Sequence, residues 1–86
     1  MFIARSKQFD KKYQKLPTKV QKQFGERLKL FLNDEKNPLL HTHALMGEYR
    51  GFRSFNVNAD IRAVFMIRDT DTIYFSAIGS HSELYE

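Results

Sequence analysis

The stretch Ile61-Arg62-Ala63-Val64-Phe65-Met66-Ile67-Arg68 decides the fold. Ile61, Ala63, Phe65 and Ile67 fall on one side of a period-two repeat, with Arg62, Val64, Met66 and Arg68 on the other. That alternation is the pattern of a β-strand with one apolar face. Asp69-Thr70-Asp71 follows, a turn composition. Beyond it, Thr72–Ile78 alternates Ile73, Phe75 and Ala77 with Tyr74, Ser76 and Ile78, a second strand. Upstream, Asn58-Ala59-Asp60 turns out of a strand expected over Phe52–Val57. The three strands predict an antiparallel meander. Its Arg62 face, shared with Val64, Met66, Tyr74 and Ser76, is too mixed for a second core and reads as a working surface.

Before the meander the period changes. Phe2-Ile3-Ala4 is a short apolar start with strand character, and Ser6 is a helix N-cap residue. Phe9, Tyr13 and Leu16 then recur at i, i+4 and i+7, one face of an amphipathic helix. Leu16-Pro17 ends it, because proline disfavours helical backbone in the residue before it. Pro17 also suits the first turn of a second helix, whose stripe is Val20, Phe24, Leu28 and Phe31 with Leu32 adjacent. Gly25, inside that helix, suggests close packing against a neighbour. Asn33-Asp34-Glu35 and Asn37-Pro38 terminate it, and Leu39–Gly51 is irregular. The order is strand, helical hairpin, three strands. It predicts an α+β fold, one domain over residues 1–86, with the helical hairpin packed on one face of an antiparallel sheet.

Composition narrows the chemistry. The 86 residues contain no Cys, which excludes a disulfide scaffold, a thiolate zinc site and a cysteine nucleophile. No apolar run approaches the roughly 20 residues of a membrane span, and Met1-Phe2-Ile3-Ala4-Arg5 lacks the apolar region of a signal peptide, so a soluble, cytoplasmic protein is expected. Net charge is +4, unevenly placed. Between Lys7 and Lys36 lie nine Lys and Arg against four acids; from residue 37 onward, four Arg face six acids. Such asymmetry fits a polyanionic or acidic protein partner, and equally a solvated helix face.

Three histidines, at 41, 43 and 81, are the side chains best suited to proton transfer near neutral pH. His43 precedes the meander and His81 follows its last strand, where loops at one sheet edge converge; each alternatively serves as an ordinary surface residue. His41-Thr42-His43 lacks the further ligands a metal site needs, and no metal or other cofactor is expected. Arg62, mid-strand and off the apolar row, is placed either to bind a phosphate or to pair with Asp60 or Glu48. Tyr85 offers a ring to stack on a base, a hydroxyl for proton transfer, or a cover for the core edge. No phosphate-cradling glycine loop and no Ser-His-Asp arrangement is present.

Four stretches carry a family resemblance. They are the opening strand with Phe9, Lys11-Lys12-Tyr13 and Leu16-Pro17; His43-Ala44-Leu45-Met46-Gly47 with Tyr49-Arg50-Gly51-Phe52-Arg53; Asp60-Ile61-Arg62-Ala63-Val64-Phe65; and Ile78-Gly79-Ser80-His81-Ser82-Glu83-Leu84-Tyr85. In order and spacing they resemble the RelE/ParE toxin superfamily of bacterial toxin–antitoxin modules, most closely its YafQ-like branch. The resemblance spans essentially the whole chain. It implies an endoribonuclease that enters the ribosomal A site and cuts mRNA without a metal, the 2′-hydroxyl attacking the adjacent phosphate. It implies His81 as general acid, His43 as a proton-transfer or phosphate-contacting group, and Asp60 as an orienting group. Arg62 would stabilise the phosphorane, and Tyr85, in place of a Phe common in the branch, would stack on a base. Lys11, Lys12, Lys15, Lys19, Lys22, Arg50 and Arg53 would bind rRNA phosphates. The implied partners are the ribosome, mRNA and a cognate antitoxin.

Three positions depart from the branch. Asn56 stands where a second His is common, Ile61 where a Trp is, and Ala77 where an Arg is. Two further readings therefore accompany the nuclease: a ParE-like inhibitor of DNA gyrase, and a toxin-fold remnant that only binds an antitoxin. The histidines at 43 and 81 favour the nuclease over the gyrase inhibitor, and Asn56 and Ala77 are what favour the remnant.

Overall fold

In the computed structural model, which describes residues 1–85, the Ile61–Arg68 segment is the middle strand of a five-stranded sheet. The elements are β1 (Phe2–Arg5), α1 (Lys7–Lys15), α2 (Thr18–Asn33), β2 (His43–Ala44), β3 (Arg53–Asn56), β4 (Ile61–Arg68), β5 (Thr72–Ser80) and α3 (His81–Tyr85). Single 3-10 turns lie at Pro38–Leu40 and Gly47–Tyr49. The α+β class, the helical hairpin on one face and the antiparallel meander β3-β4-β5 match the sequence reading.

The sheet is wider than that reading, and mixed rather than antiparallel throughout. Its order is β1-β5-β4-β3-β2. β1 runs parallel to β5, with Ile3 beside Ile73 and Arg5 beside Phe75. The two-residue β2 pairs antiparallel with β3, His43 opposite Ser54. The hairpin joining β4 to β5 turns through Asp69 and Thr70, both at positive φ (52° and 64°), the backbone of a type I′ turn that matches strand twist. Asn58 shapes the preceding turn. Its Oδ1 accepts from the amides of Asp60 and Ile61, and its Nδ2 donates to Gln23 of α2.

A β-bulge changes the phase of β5. Val64 pairs with Ala77 while Phe65 pairs with Phe75, leaving Ser76 as the extra residue. The alternation read from sequence therefore breaks there. Ile78 joins Ile73 and Phe75 under the helices, and Ala77 turns to the opposite face. Ser6 holds the bulge. Its amide donates to the Phe75 carbonyl at 2.9 Å and its hydroxyl to the Ser76 carbonyl at 2.7 Å. The same hydroxyl accepts from the Phe9 amide at 2.9 Å, capping α1.

The main core is aromatic. Phe9, Phe24 and Phe31 of the hairpin meet Phe55, Phe65 and Phe75 of the sheet, with centroid separations such as 5.0 Å for Phe31–Phe65 and 5.1 Å for Phe24–Phe75. At about 1.5–3 kcal/mol for each fully buried large apolar side chain, this layer outweighs any single polar contact. Leu32 lies off the stripe and is exposed. Gly25 has nothing within 4 Å of where a Cβ would be, so no close approach explains it.

The opposite face corrects the expectation that it is too mixed for a second core. Val64, Ala77, Leu45 and Leu84 bury one another there, flanked by Tyr49, Phe52 and Tyr85. Val64 loses its solvent because α3 folds back over it. Met66, Tyr74 and Arg68 remain on the uncovered part, Arg68 resting on the Tyr74 ring at 3.8 Å. Ser6→Ala removes both the cap and the bond to the bulge. It is expected to lower unfolding stability by about 1–2 kcal/mol, read as a shifted urea midpoint at unchanged slope.

Candidate active surface on the outer face of the sheet

α3 starts directly at the end of β5, and its start is a capping box. The Ser80 hydroxyl accepts from the Glu83 amide at 3.1 Å, and Glu83 Oε1 accepts from the Ser80 amide at 2.8 Å. The other Glu83 oxygen pairs with Lys12 of α1. A Cβ at Gly79 would lie 3.2 Å from Glu83 Oε1, so the carboxylate sits close against the strand. His81 occupies the first helical position, and Tyr85 lies one turn on, with ring centroids 4.8 Å apart.

Sheet register brings the other candidates to this face. One row runs His43, Ser54, Val64, Ala77; the next holds Asn56, Arg62 and Gly79. Two residues beyond Gly79 stands His81. His43 Nδ1 lies 2.9 Å from the His41 carbonyl, which only accepts, so Nδ1 carries the proton. Nε2 is then the lone-pair nitrogen of the neutral ring, with the fully buried Ser54 hydroxyl at a long 3.5 Å. His41 itself is bent into left-handed backbone (φ 47°) at the end of the Pro38–Leu40 turn, which aims that carbonyl.

Arg62 forms no ion pair with Asp60 or Glu48 among the described residues; its Nη1 instead donates to the carbonyls of Asn58 and Ala59 at 3.1 and 3.2 Å. The guanidinium is thereby held at the β3–β4 turn. Asp60 is exposed in that turn. Tyr85 stands between His81 and Tyr49, whose ring meets it edge-on at 6.2 Å. The Tyr85 hydroxyl is buried with no hydrogen-bond partner among the described residues, so the outward part of this residue is its ring. Burial pushes the Tyr49 hydroxyl above the ordinary phenol pKa, helped by the Glu48 charge and by Tyr85.

The basic residues divide. Lys11, Lys12 and Lys15 line a groove of about 380 Å³ between α1 and α3, floored by Ala77 and Ile78. Lys12 already holds Glu83, which removes it from the free cations. Lys19 and Lys22 are exposed on α2, and Arg50 is exposed after the second 3-10 turn. Arg53 lies on the helix face, not the Arg62 face. Its guanidinium sits 5.1 Å from the centre of the Phe65 ring. Sequence reasoning missed Glu83, Ser54 and Tyr49. Ser80-x-x-Glu83 was a readable capping-box signature; a buried serine opposite a histidine has none. Among the described residues no group of three His, Asp or Glu is placed to hold a metal, and no helix is long and apolar enough to cross a membrane.

The family model described as "Bacterial toxin of type II toxin-antitoxin system, YafQ" matches residues 1–86. The chain belongs to the YafQ toxin family. The structure of YafQ from E. coli strain BL21(DE3) superposes with a TM-score of 0.79 at 22% identity, covering 98% of this chain and 97% of that one. YafQ in the E. coli DinJ–YafQ toxin–antitoxin complex gives 0.76 at 24% identity, over 98% and 96% of the two chains. A YoeB/ParE toxin from Agrobacterium tumefaciens gives 0.79 at 14% identity, over 94% and 99%. None of the curated protein sequences compared with the chain matches it significantly. The toxin thus has the RelE/ParE-like fold of these structures.

Two outcomes follow from the α3 geometry. The Lys12 ammonium first, then the Ser80 amide and hydroxyl, lower the Glu83 pKa from 4.5 to about 2. Because the folded pKa lies below the unfolded one, the stabilisation is complete above about pH 5 and is lost as pH falls through 4.5 towards 2. Glu83→Gln should therefore differ most from wild type in unfolding stability near neutral pH, the two converging by pH 2 in urea titrations. Tyr85→Phe deletes a buried hydroxyl that has no partner, and should raise the urea midpoint by the equivalent of about 1 kcal/mol.

Proposed function

We propose that the toxin is a ribosome-dependent endoribonuclease that cleaves mRNA in the A site without a metal. One observation carries this reading: adjacent register rows and the capped start of α3 gather His43, Arg62 and His81 on one sheet face. Two imidazoles and a guanidinium can supply the base, the acid and the cation that cleavage by an internal hydroxyl needs. His43 Nε2, left basic by the Nδ1 contact to the His41 carbonyl, takes the proton of the 2′-hydroxyl. The 2′-oxygen bonds to phosphorus, the bond from phosphorus to the 5′-oxygen breaks, and His81 gives its proton to that oxygen. The products are a 2′,3′-cyclic phosphate and a 5′-hydroxyl end.

Arg62 faces the developing charge on the phosphorane with the donors that Nη1 leaves free. Ala77 is buried against Val64 and Leu84, so the cation offered to the phosphate beside the two histidines is Arg62 rather than a residue of late β5. Asp60 orients a group beside it, and the Tyr85 ring next to His81 takes a base. Lys11, Lys15, Lys19, Lys22 and Arg50 meet rRNA phosphates, which makes binding fall steeply with salt. Arg53, on the helix face, serves a separate contact. A cognate antitoxin is the partner in the resting form, in line with the DinJ–YafQ toxin–antitoxin complex of E. coli.

The test is a defined mRNA in a reconstituted translation mix, with and without ribosomes, comparing wild type with His81→Ala. Cuts that need ribosomes, end in cyclic phosphate and weaken about a hundredfold or more in the variant are the expected result. Growth arrest without cuts would replace this reading with gyrase inhibition; neither arrest nor cuts would leave an antitoxin-binding remnant.

A further inference from the structure

We propose that Glu83 is a positioning residue for His81, fixing the start of α3 through Ser80 and tying it to α1 through Lys12. The proposal rests on the reading that His81 gives a proton during cleavage.

A five-residue helix has no stability of its own, because its nucleus is unfavourable and it has almost no propagation to offset that. α3 buries Leu84, with Tyr85 packed partly beside it. Both of these anchors lie at the far end of the helix, and they leave its first turn undetermined. The polar contacts supply that information, and all of them pass through Glu83. Oε1 accepts from the Ser80 amide, the Glu83 amide donates back to the Ser80 hydroxyl, and Oε2 takes the Lys12 ammonium. His81 lies inside the loop these bonds close, between the two capping residues. Its backbone is therefore set by them, and its ring then rests on Tyr85.

Two further observations support a built arrangement. Gly79 leaves no ordinary space for a Cβ beneath the carboxylate, the nearest atom being Oε1 at 3.2 Å. Lys12 reaches α3 across the groove from a helix that is itself capped on the β5 bulge by Ser6. The line of contacts runs from the sheet through Ser6, α1, Lys12 and Glu83 to the backbone of His81. With donors on both oxygens, Glu83 is not placed to act as a base.

The experiment compares wild type, Glu83→Ala and Glu83→Gln in two assays. One is single-turnover cleavage on mRNA-programmed ribosomes across ribosome concentration. The other is NMR of the free full chain, following contacts between the His81 and Tyr85 rings and, as a control, between the Phe9 and Phe75 rings. Gln keeps an oxygen for the Ser80 amide; Ala does not. Glu83→Ala is expected to lower the saturating cleavage rate by about tenfold to a hundredfold with the half-saturating ribosome concentration little changed. It should also lose the His81–Tyr85 ring contacts and keep those of Phe9 and Phe75. Glu83→Gln should keep those contacts and recover the rate to within a few-fold of wild type.

Wild-type rates and intact His81–Tyr85 contacts in Glu83→Ala would overturn the proposal, as would loss of the Phe9–Phe75 contacts in that variant. If the wild type itself does not cut, the nuclease reading fails while the ring contacts still decide whether Glu83 sets His81.

Discussion

The structure depends on one serine hydroxyl that makes two bonds in different directions. Ser6 Oγ donates to the carbonyl of Ser76 and accepts from the amide of Phe9. The first bond pins the end of β1 to the extra residue in β5. The second starts α1. A helix cap normally concerns only its own first turn; here it also fixes the place where a strand changes phase. Without the bulge, Ala77 would point at the helices and Ile78 away from them. Val64 and Leu84 would lose their partner, and Gly79 would not lie beneath Glu83. The arrangement that seats α3, and with it the outer-face cluster, is downstream of that local irregularity.

The parts of the fold written in hydrophobic periodicity were legible. β4 has eight alternating residues and a turn on each side, and α1 and α2 each carry a continuous apolar stripe. What was not legible has a common cause. The parallel pairing of β1 with β5 and the two-residue β2 are set by partners far along the chain, and segments so short contain no period to read. The bulge hides for another reason. Ser76 and Ala77 are both small, so nothing in Phe75-Ser76-Ala77-Ile78 shows that the alternation skips a residue.

The candidate site divides the same way. His43, Arg62, His81 and Tyr85 stood out by residue type and position, Asp60 only through the family resemblance, and the register brings His43, Arg62 and the start of α3 to one face. Charge type alone did not say which side of the sheet a residue occupies. Arg53 and Arg62 look alike in sequence, yet one covers Phe65 on the helix side and the other lies opposite Asn56 and Gly79 on the outer side. Lys12 reads as one more free cation among eight lysines, and only the fold reveals its carboxylate.

The parallel β1–β5 pair also bears on the order of assembly. β1 is near the start of the chain, and the bond from Ser6 to Ser76 spans 70 residues. Closing so long a loop is entropically costly and slow, whereas helices form from contacts a few residues apart. During synthesis the hairpin of α1 and α2 has its sequence early, but it faces no sheet until β4 and β5 emerge. The outer-face cluster waits longer still, since His81 and Glu83 follow the last strand. The domain therefore stays unfinished until its last strand and α3 have been made, and topology delays the outer-face cluster to the end of that order.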